Sequence, residues 1–469
     1  MKEDYLERLR GGEPMTLRQQ ISLIARLSLP AIMAQVSSII MQYIDASMVG
    51  QLGASASASI GLVSSSTWLF GGMCTAAVTG FTVQAAQEVG AGEYKTARNL
   101  VKQAFIFVVG LSLIILAIGV GVSGFLPRWL GGNEDICGNA SWYFRIFVLS
   151  LPVVQVNNIS SGMLQASGNM KTPSILHILM CGFDVIFNLL LIFPSRTVLG
   201  ITLPGAGMGV AGAALGTALA QLVTALFMAY FLLIRSPALH MRRGEKLKIS
   251  PAQLKTAVRI SIPVAIEQFV MGGAQVMSTH IVAPLGTVSI AANSFSVTAE
   301  SLCYMPGYGI GAAAATLIGQ SIGAGRKDLT KRLGWLTTIL GVSVMTVTGA
   351  LMYIAAPWMI GILSPDAAVV ALGTAMLRIE AFAEPLYAAS IVASGVFRGA
   401  GDTLMSSVLN FCSMWIVRLP LAAFLAPRIG LRGVWIAMCI ELCFRGIIFL
   451  IRLARGRWQN HNVRSEVIS

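Results

Sequence analysis

Residues 181–193 read CGFDVIFNLLLIF, an apolar run that holds an acid, Asp184, and an amide, Asn188. Four residues apart, they share one face of a helix. Ionisable residues also interrupt apolar runs at Asp45 and Arg145 in the first half of the chain. In the second half they are Glu267, Glu300, Arg378, Glu380, Glu384, Arg418, Glu441 and Arg445. At a bilayer centre such a group costs about 2.5–3.5 kcal/mol on insertion scales, so it is retained for a reason. Glu441 and Arg445 stand i,i+4 in the favourable acid-first order and read as a structural pair. Arg145 and Arg378 read as braces, with Glu380 or Glu384 within reach of Arg378. Asp45, Asp184 and Glu267 have no basic residue within a turn on their own helices. Burial disfavours an ionised carboxylate. Such an acid needs a distant partner, a proton, or a bound cation.

The elements that carry these groups follow from composition. The chain has 469 residues, 55% hydrophobic and only 11% charged, too little charge to cover a soluble protein of this size. Apolar runs of about 20 residues recur along the whole length, the signature of spanning helices. Their polarity does not alternate, which excludes the strands of an outer-membrane barrel. Twelve helices are predicted, at 20–48, 57–88, 99–124, 141–166, 172–194, 208–234, 254–282, 290–321, 332–356, 368–398, 404–426 and 432–454. Connections are short except at 235–253, RSPALHMRRGEKLKISPAQ. Seven cysteines, without paired spacing, indicate neither disulfides nor zinc. The lone histidines His177 and His280 read as structural. The predicted segments are a cytoplasmic N-terminal segment 1–19, a bundle 20–234, a linker 235–253, a bundle 254–454 and a tail 455–469.

The net charge is +13, and its placement sets the orientation. Arg26, Lys95, Arg98, Lys102, Lys171, Arg235, Arg242, Arg243, Lys246, Lys248, Arg326, Lys327, Lys331, Arg332, Arg455 and Arg457 fall on one side of the twelve-helix arrangement. Only Arg128, Arg196, Arg428 and Arg432 fall on the other. This bias places both termini and the linker in the cytoplasm. The basic linker reads as a loop near anionic lipid and not as a nucleic-acid patch.

The halves repeat. RLSLPAIMAQ (26–35) matches RISIPVAIEQ (259–268), with Pro30 and Pro263 aligned at an offset of 233 residues. The same offset pairs Leu52-Gly53 with Leu285-Gly286, Gly90-Ala91-Gly92 with Gly323-Ala324-Gly325, and Pro152 with Pro385. It also pairs SGMLQASGN (161–169) with SGVFRGAGD (394–402). Six helices per half give both halves one orientation. Two bundles related by a pseudo-two-fold axis along the membrane normal are therefore expected, as in parallel-repeat transporters. Glu267 lies about 20 Å along its predicted helix, near mid-membrane. Its repeat mate is Ala34, so the halves differ in chemistry.

DASMVGQLG (45–53), GAGEYKTAR (90–98), GAGRKDLTKR (323–332), SGVFRGAGDT (394–403) and the run from Gly430 to Trp458 together carry a resemblance. Over nearly its full length the chain resembles the multidrug and toxic compound extrusion (MATE) transporters, in their prokaryotic branch. The resemblance implies an exporter of organic cations, driven by entry of H+ or Na+. Asp45 matches the family's helix 1 acid in D-x6-LG, Pro30 its helix 1 proline, and Thr217 its helix 6 threonine. In helix 5 the family often has an amide and then an acid; here Asp184 comes before Asn188. Asp45, Asp184, Asn188 and Thr217 are thus the candidate ligands for Na+ or a relay for H+, with Glu267 and Glu300 as further ion-coupling acids. Gln35, Asn157, Asn158 and Gln268 are candidates to line a substrate cleft, or to join helices. Pro30 is a candidate hinge, since proline removes a backbone hydrogen bond. The 22 methionines and 20 phenylalanines suit an adaptable drug-binding wall as well as a core.

The expected function is drug/ion antiport in the plasma or inner membrane by a monomer, with membrane lipid and organic cations as partners. No cofactor is implied beyond the coupling ion. One rival is a flippase for lipid-linked precursors of the same superfamily; it would want basic cavity residues, and these candidates are acidic. Another is a membrane-embedded enzyme, but HExxH and a paired catalytic Ser/His are absent from the sequence. A channel fits the asymmetric acids poorly.

Overall fold

In lipid a backbone must satisfy its own hydrogen bonds, so long apolar runs become helices. A computed structural model describes residues 5–198, 201–242, 244–245, 247–460 and 463. Arg243, Lys246 and the side chain of Arg196 lie outside the described residues, as do parts of the two terminal segments. Among those described, eleven helices are long and apolar enough to cross a membrane.

The order is α1 (Tyr5–Arg10), α2 (Leu17–Gly50), α3 (Ala54–Gly90), α4 (Tyr94–Val122), α5 (Leu126–Trp129), α6 (Glu134–Ala166) and α7 (Lys171–Leu191). After the strands β1 (Pro194–Val198) and β2 (Ile201–Ala206) come α8 (Gly209–Tyr230), α9 (Pro251–Val282), α10 (Thr287–Gly323) and α11 (Lys327–Leu363). The chain ends with α12 (Ala367–Glu380), α13 (Glu384–Ala400), α14 (Thr403–Phe411), α15 (Leu419–Ile429) and α16 (Leu431–Arg455). All predicted spans appear, and the first four run past their predicted starts by several residues.

Three features depart from expectation. The predicted helix 368–398 is two helices, broken at residues 381–383. Pro385, near the start of α13, has no N–H to give to the carbonyl of Ala381. Its repeat mate Pro152 sits inside the continuous α6, so proline alone does not set the break. The connection after α7 is an antiparallel hairpin, in which Pro194 pairs with Ala206 and Val198 with Ile201. The predicted helix 404–426 holds a π-helical segment, Cys412–Arg418, between α14 and α15. Pro30 lies inside the continuous α2.

The chain forms two compact units. The amino-terminal unit is Ser37–Ala85 with Glu93–Ser261. There α8 packs on α6 and α7, and α4 on α6. Its core holds Val63, Cys74, Ile115, Phe144, Val148 and Leu151. The carboxy-terminal unit is Met1–Val36, Ala86–Gly92 and Ile262–Ser469. Its centre is α10, packed on α11 and α13. The small-residue run GIGAAAATLIG makes this close contact: a Cβ on Gly395 would stand 2.2 Å from the carbonyl oxygen of Gly311.

Candidate ion-coupling site

In the amino-terminal unit, α7 presents Asp184 and Asn188 on one inward face. Both are buried, at 0% and 1% exposure. The Asn188 Nδ2 donates to Asp184 Oδ2 at 3.0 Å and to Asp45 Oδ1, from α2, at 2.9 Å. One amide thus bridges two carboxylates. Asp184 Oδ1 and Asn188 Oδ1 are buried without a hydrogen-bond partner among the described residues. Gly216 on α8 is what lets that helix lie against Asn188; a Cβ there would meet the amide oxygen at 2.1 Å.

Thr217, the next residue, is half-buried, and its hydroxyl makes no hydrogen bond to the cluster among the described residues. The structure therefore joins three of the four candidate ligands. Two carboxylates with one shared donor cannot both stay charged in a low dielectric without a balancing positive charge. The lone oxygens are ligand types that suit a proton or a small hard cation.

In the carboxy-terminal unit Glu267 is not alone. Its Oε2 accepts from the Ser407 hydroxyl at 2.9 Å and its Oε1 from Asn410 Nδ2 at 2.8 Å. Arg398 Nη2 stands 3.6 Å from Oε1. This is the distant-partner outcome, and no local spacing in the sequence could reveal it. Arg398 lies within SGVFRGAGDT, a motif noted for its repeat and not for its charge.

A second group of acids lies around the break between α12 and α13. Glu300 on α10 is 5% exposed, and Glu380 and Glu384, on the two sides of the break, are 0% exposed. All four carboxylate oxygens of Glu380 and Glu384 lack hydrogen-bond partners among the described residues. Cys303 lies beside Glu384, but its thiol turns to Thr348 Oγ1 at 3.3 Å. Arg378 does not hold either acid. It stacks 5.3 Å over the Tyr353 ring and donates to the Tyr353 carbonyl at 3.4 Å. Arg418 donates to the Met438 sulfur at 2.7 Å. Glu441 is held by Arg445 at 2.7 and 2.9 Å, the pair expected from spacing, and Ser413 also donates to it. Glu380 and Glu384 are the site candidates that sequence reasoning passed over. The signal was present as two acids flanking a proline-marked break, since irregular backbone and π-helices inside membrane helices gather at functional sites.

The cleft candidates divide by unit. Asn157 is buried and its Nδ2 donates to Gln221 Oε1 at 2.9 Å, in the amino-terminal unit with Asn158. Gln35 and Gln268 are half-buried in the carboxy-terminal unit.

Residues 30–190 and 263–424 match the family model MatE, one match for each half of the repeat. Across 94% of its length the chain is 26% identical to the "Probable multidrug resistance protein NorM" of Thermotoga maritima, 93% of which is covered. It is 25% identical to the multidrug resistance protein MdtK of Edwardsiella ictaluri, over 96% of this chain and 98% of that one. A solved structure described as the outward-facing conformation of a multidrug resistance MATE family transporter of the MOP superfamily overlays it with a TM-score of 0.88. The identity there is 20%, and the overlay covers 97% of this chain and 99% of the other.

Proposed function

Because the chain belongs to the MatE family, we propose that it is a secondary active multidrug efflux transporter of the cell membrane. It exports organic cations by antiport against H+ or Na+ through alternating access, and works as a monomer with both termini in the cytoplasm. The observation that carries this proposal is the Asn188 amide shared between Asp45 and Asp184. Those acids lie on different helices, so a cation or proton between them ties α2 to α7. Its loss leaves two like charges facing each other. A bound ion shifts a conformational equilibrium only through different affinity for the two states. Separation of Asp45 from Asp184 in one state supplies that difference. Pro30 lies fifteen residues before Asp45 on α2, where the missing backbone bond allows the helix to bend. Pro30→Ala is expected to slow turnover and leave drug affinity unchanged; unchanged turnover removes the hinge.

The test is reconstitution in liposomes with ethidium as substrate, under a proton gradient and a sodium gradient applied separately. Asp45→Asn and Asp184→Asn are each expected to abolish gradient-driven efflux, and Asn188→Ala to weaken it. If Asp184→Asn keeps full gradient-driven transport, coupling lies elsewhere, with Glu267, Glu300 and the acids of the α12–α13 break next in line.

A further inference from the structure

We propose that the interior of the amino-terminal unit holds a proton path running from the Asp45–Asp184–Asn188 cluster to the far end of that unit, with His177 as its relay. The proposal rests on the cluster being the coupling site.

His177 and Cys181 stand seven and three residues before Asp184 on α7, on its inward face. His177 is thus about 10 Å below the acid along the helix axis. Its Nε2 is 3.3 Å from Ser161 Oγ on α6. Gln165 Nε2 donates to the same hydroxyl at 3.1 Å, one residue before α6 ends. The chain of polar groups therefore reaches the end of the unit where α6 gives way to α7 and Lys171 stands. The positive-charge bias assigns that end to the cytoplasm.

Asn157 lies one turn from Ser161 on the same face of α6. Because α6 and α7 run in opposite directions, Asn157 stands between the levels of His177 and Asp184. Its Nδ2 is engaged by Gln221 of α8 at 2.9 Å, while its Oδ1 is buried without a partner among the described residues. Asp184 Oδ1 is in the same condition. Two buried acceptors without donors flank the stretch between acid and imidazole. A water or hydronium ion is the smallest donor that satisfies them.

The side chains on this route differ in what they can pass. Gln165, Asn157 and Gln221 are amides and do not titrate. The Cys181 thiol is turned aside to the carbonyls of Ser37 and His177, at 3.4 and 3.2 Å. Other titratable or charged groups of the surrounding elements include Tyr43 and Asp45 on α2, Tyr143 and Arg145 on α6, and Lys171 and Asp184 on α7 itself, while α8 brings the neutral Gln221 and Thr224. Among the described residues the imidazole is the one group between cluster and exit that accepts at one nitrogen and donates at the other. A proton leaving Asp184 arrives at Nδ1 and forms an imidazolium. Loss of the Nε2 proton to a water held at the Ser161 hydroxyl restores a neutral ring in its other tautomer; Ser161 and Gln165 orient that water and carry no net proton. Only O–H and N–H bonds change, and the charge moves with the proton.

The experiment uses the full chain in liposomes with ethidium, comparing His177→Gln, Ser161→Ala and the control His280→Gln. His280 is exposed on α9, in the carboxy-terminal unit. Wild type is expected to respond to a proton gradient. His177→Gln should slow proton-driven efflux by at least about tenfold, flatten its dependence on pH at the exit side, and recover with added imidazole. Its ethidium affinity should stay within about twofold of wild type. Ser161→Ala, which leaves the imidazole in place, should slow efflux less; it also serves should His177→Gln fail to elute as a folded monomer. A histidine that only packs would lower the melting temperature and leave the pH profile intact, and that result overturns the relay. Transport driven by sodium alone overturns it too, while the coupling role of the cluster stands. Full gradient-driven transport by Asp184→Asn removes both.

Discussion

Glu441 and Arg445 show what a single intramembrane charge needs. Both are buried, and two charge-assisted bonds of 2.7 and 2.9 Å join them. Removing one partner strands the other in a low dielectric. Arg445→Met is therefore expected to destabilise the protein by about 3–5 kcal/mol, and the double variant Arg445→Met, Glu441→Leu to recover most of that. Unfolding in detergent followed by tryptophan fluorescence would measure both; a stable Arg445→Met would mean that the pair contributes nothing. This pair was legible in the sequence because its spacing is local. The Asp184–Asn188 face was legible for the same reason. Glu267 with Arg398, Ser407 and Asn410 was not, because three-dimensional packing brings those groups together from α13 and α14. Arg378 was misread because helical spacing says which residues share a face and not which neighbour offers the better site. The Tyr353 ring and carbonyl took the guanidinium that spacing assigned to Glu380 or Glu384.

Among the elements, the linker and the glycine crossings carry the clearest consequences. Apolar run length revealed the spans, but the break at 381–383, the hairpin and the π-segment were not legible. Each is a local departure within or beside an apolar run, and hydropathy averages over it. The basic linker is docked, not loose. Arg98 on α4 donates through Nε to both Glu245 carboxylate oxygens at 3.1 and 3.0 Å, and through Nη2 at 2.6 Å. Asn99 and Lys248 exchange two further bonds, at 2.7 and 3.0 Å. Hydrogen bonds from Arg98 hold the Glu245 carboxyl below its ordinary range. A lowered acid contributes its stability in full above the unfolded value, about 4.3 for glutamate, and loses it as pH falls through the folded value. A spin label at the exposed Leu247 should stay ordered at neutral and mildly acid pH and loosen only below that range. In Glu245→Gln it should be loose throughout; order that is unaffected by acid or by this substitution would remove the ion pair as the anchor. Gly90 and Gly323, repeat mates, meet Gln320 and Gln87, which are also repeat mates. A Cβ on Gly323 would stand 1.9 Å from the Gln87 carbonyl oxygen, and one on Gly90 2.2 Å from that of Gln320. Backbone cannot yield as a side chain does. Either alanine variant should cost at least about 1–3 kcal/mol, while Gly110→Ala, with open space around it, should cost nothing measurable. Equal melting temperatures for Gly323→Ala and wild type would show that the crossing opens without strain.

For the whole molecule, the repeat at an offset of 233 residues was the strongest message in the sequence, and the two separate matches to one family model fall on its two halves. Orientation rests on charge. A lysine or arginine in a short loop resists translocation, so excess positive charge stays in the cytoplasm. On the side expected to face the cytoplasm, Lys95, Arg98 and Lys102 lie at the start of α4. Lys171 begins α7, Arg326, Lys327, Lys331 and Arg332 begin α11, and Arg455 and Arg457 close α16. Arg128, in the short α5 that follows α4, and Arg428, near the end of α15, fall on the other side. Because every span reverses the chain, one error in the count would scatter these charges over both sides. The twelve-span count includes the broken α12–α13 as one crossing. Single cysteines in a cysteine-free background test it directly. A cysteine at Leu247 in the linker and one at Arg457 should resist a membrane-impermeant maleimide in intact cells and react after permeabilisation. A cysteine at Pro365, between α11 and α12, should react in intact cells. If Arg457 reacts in intact cells while Pro365 reacts and Leu247 stays protected, α12 and α13 do not cross as one span. If Leu247 reacts from outside, the charge bias has been read with the wrong sign and the chain lies inverted.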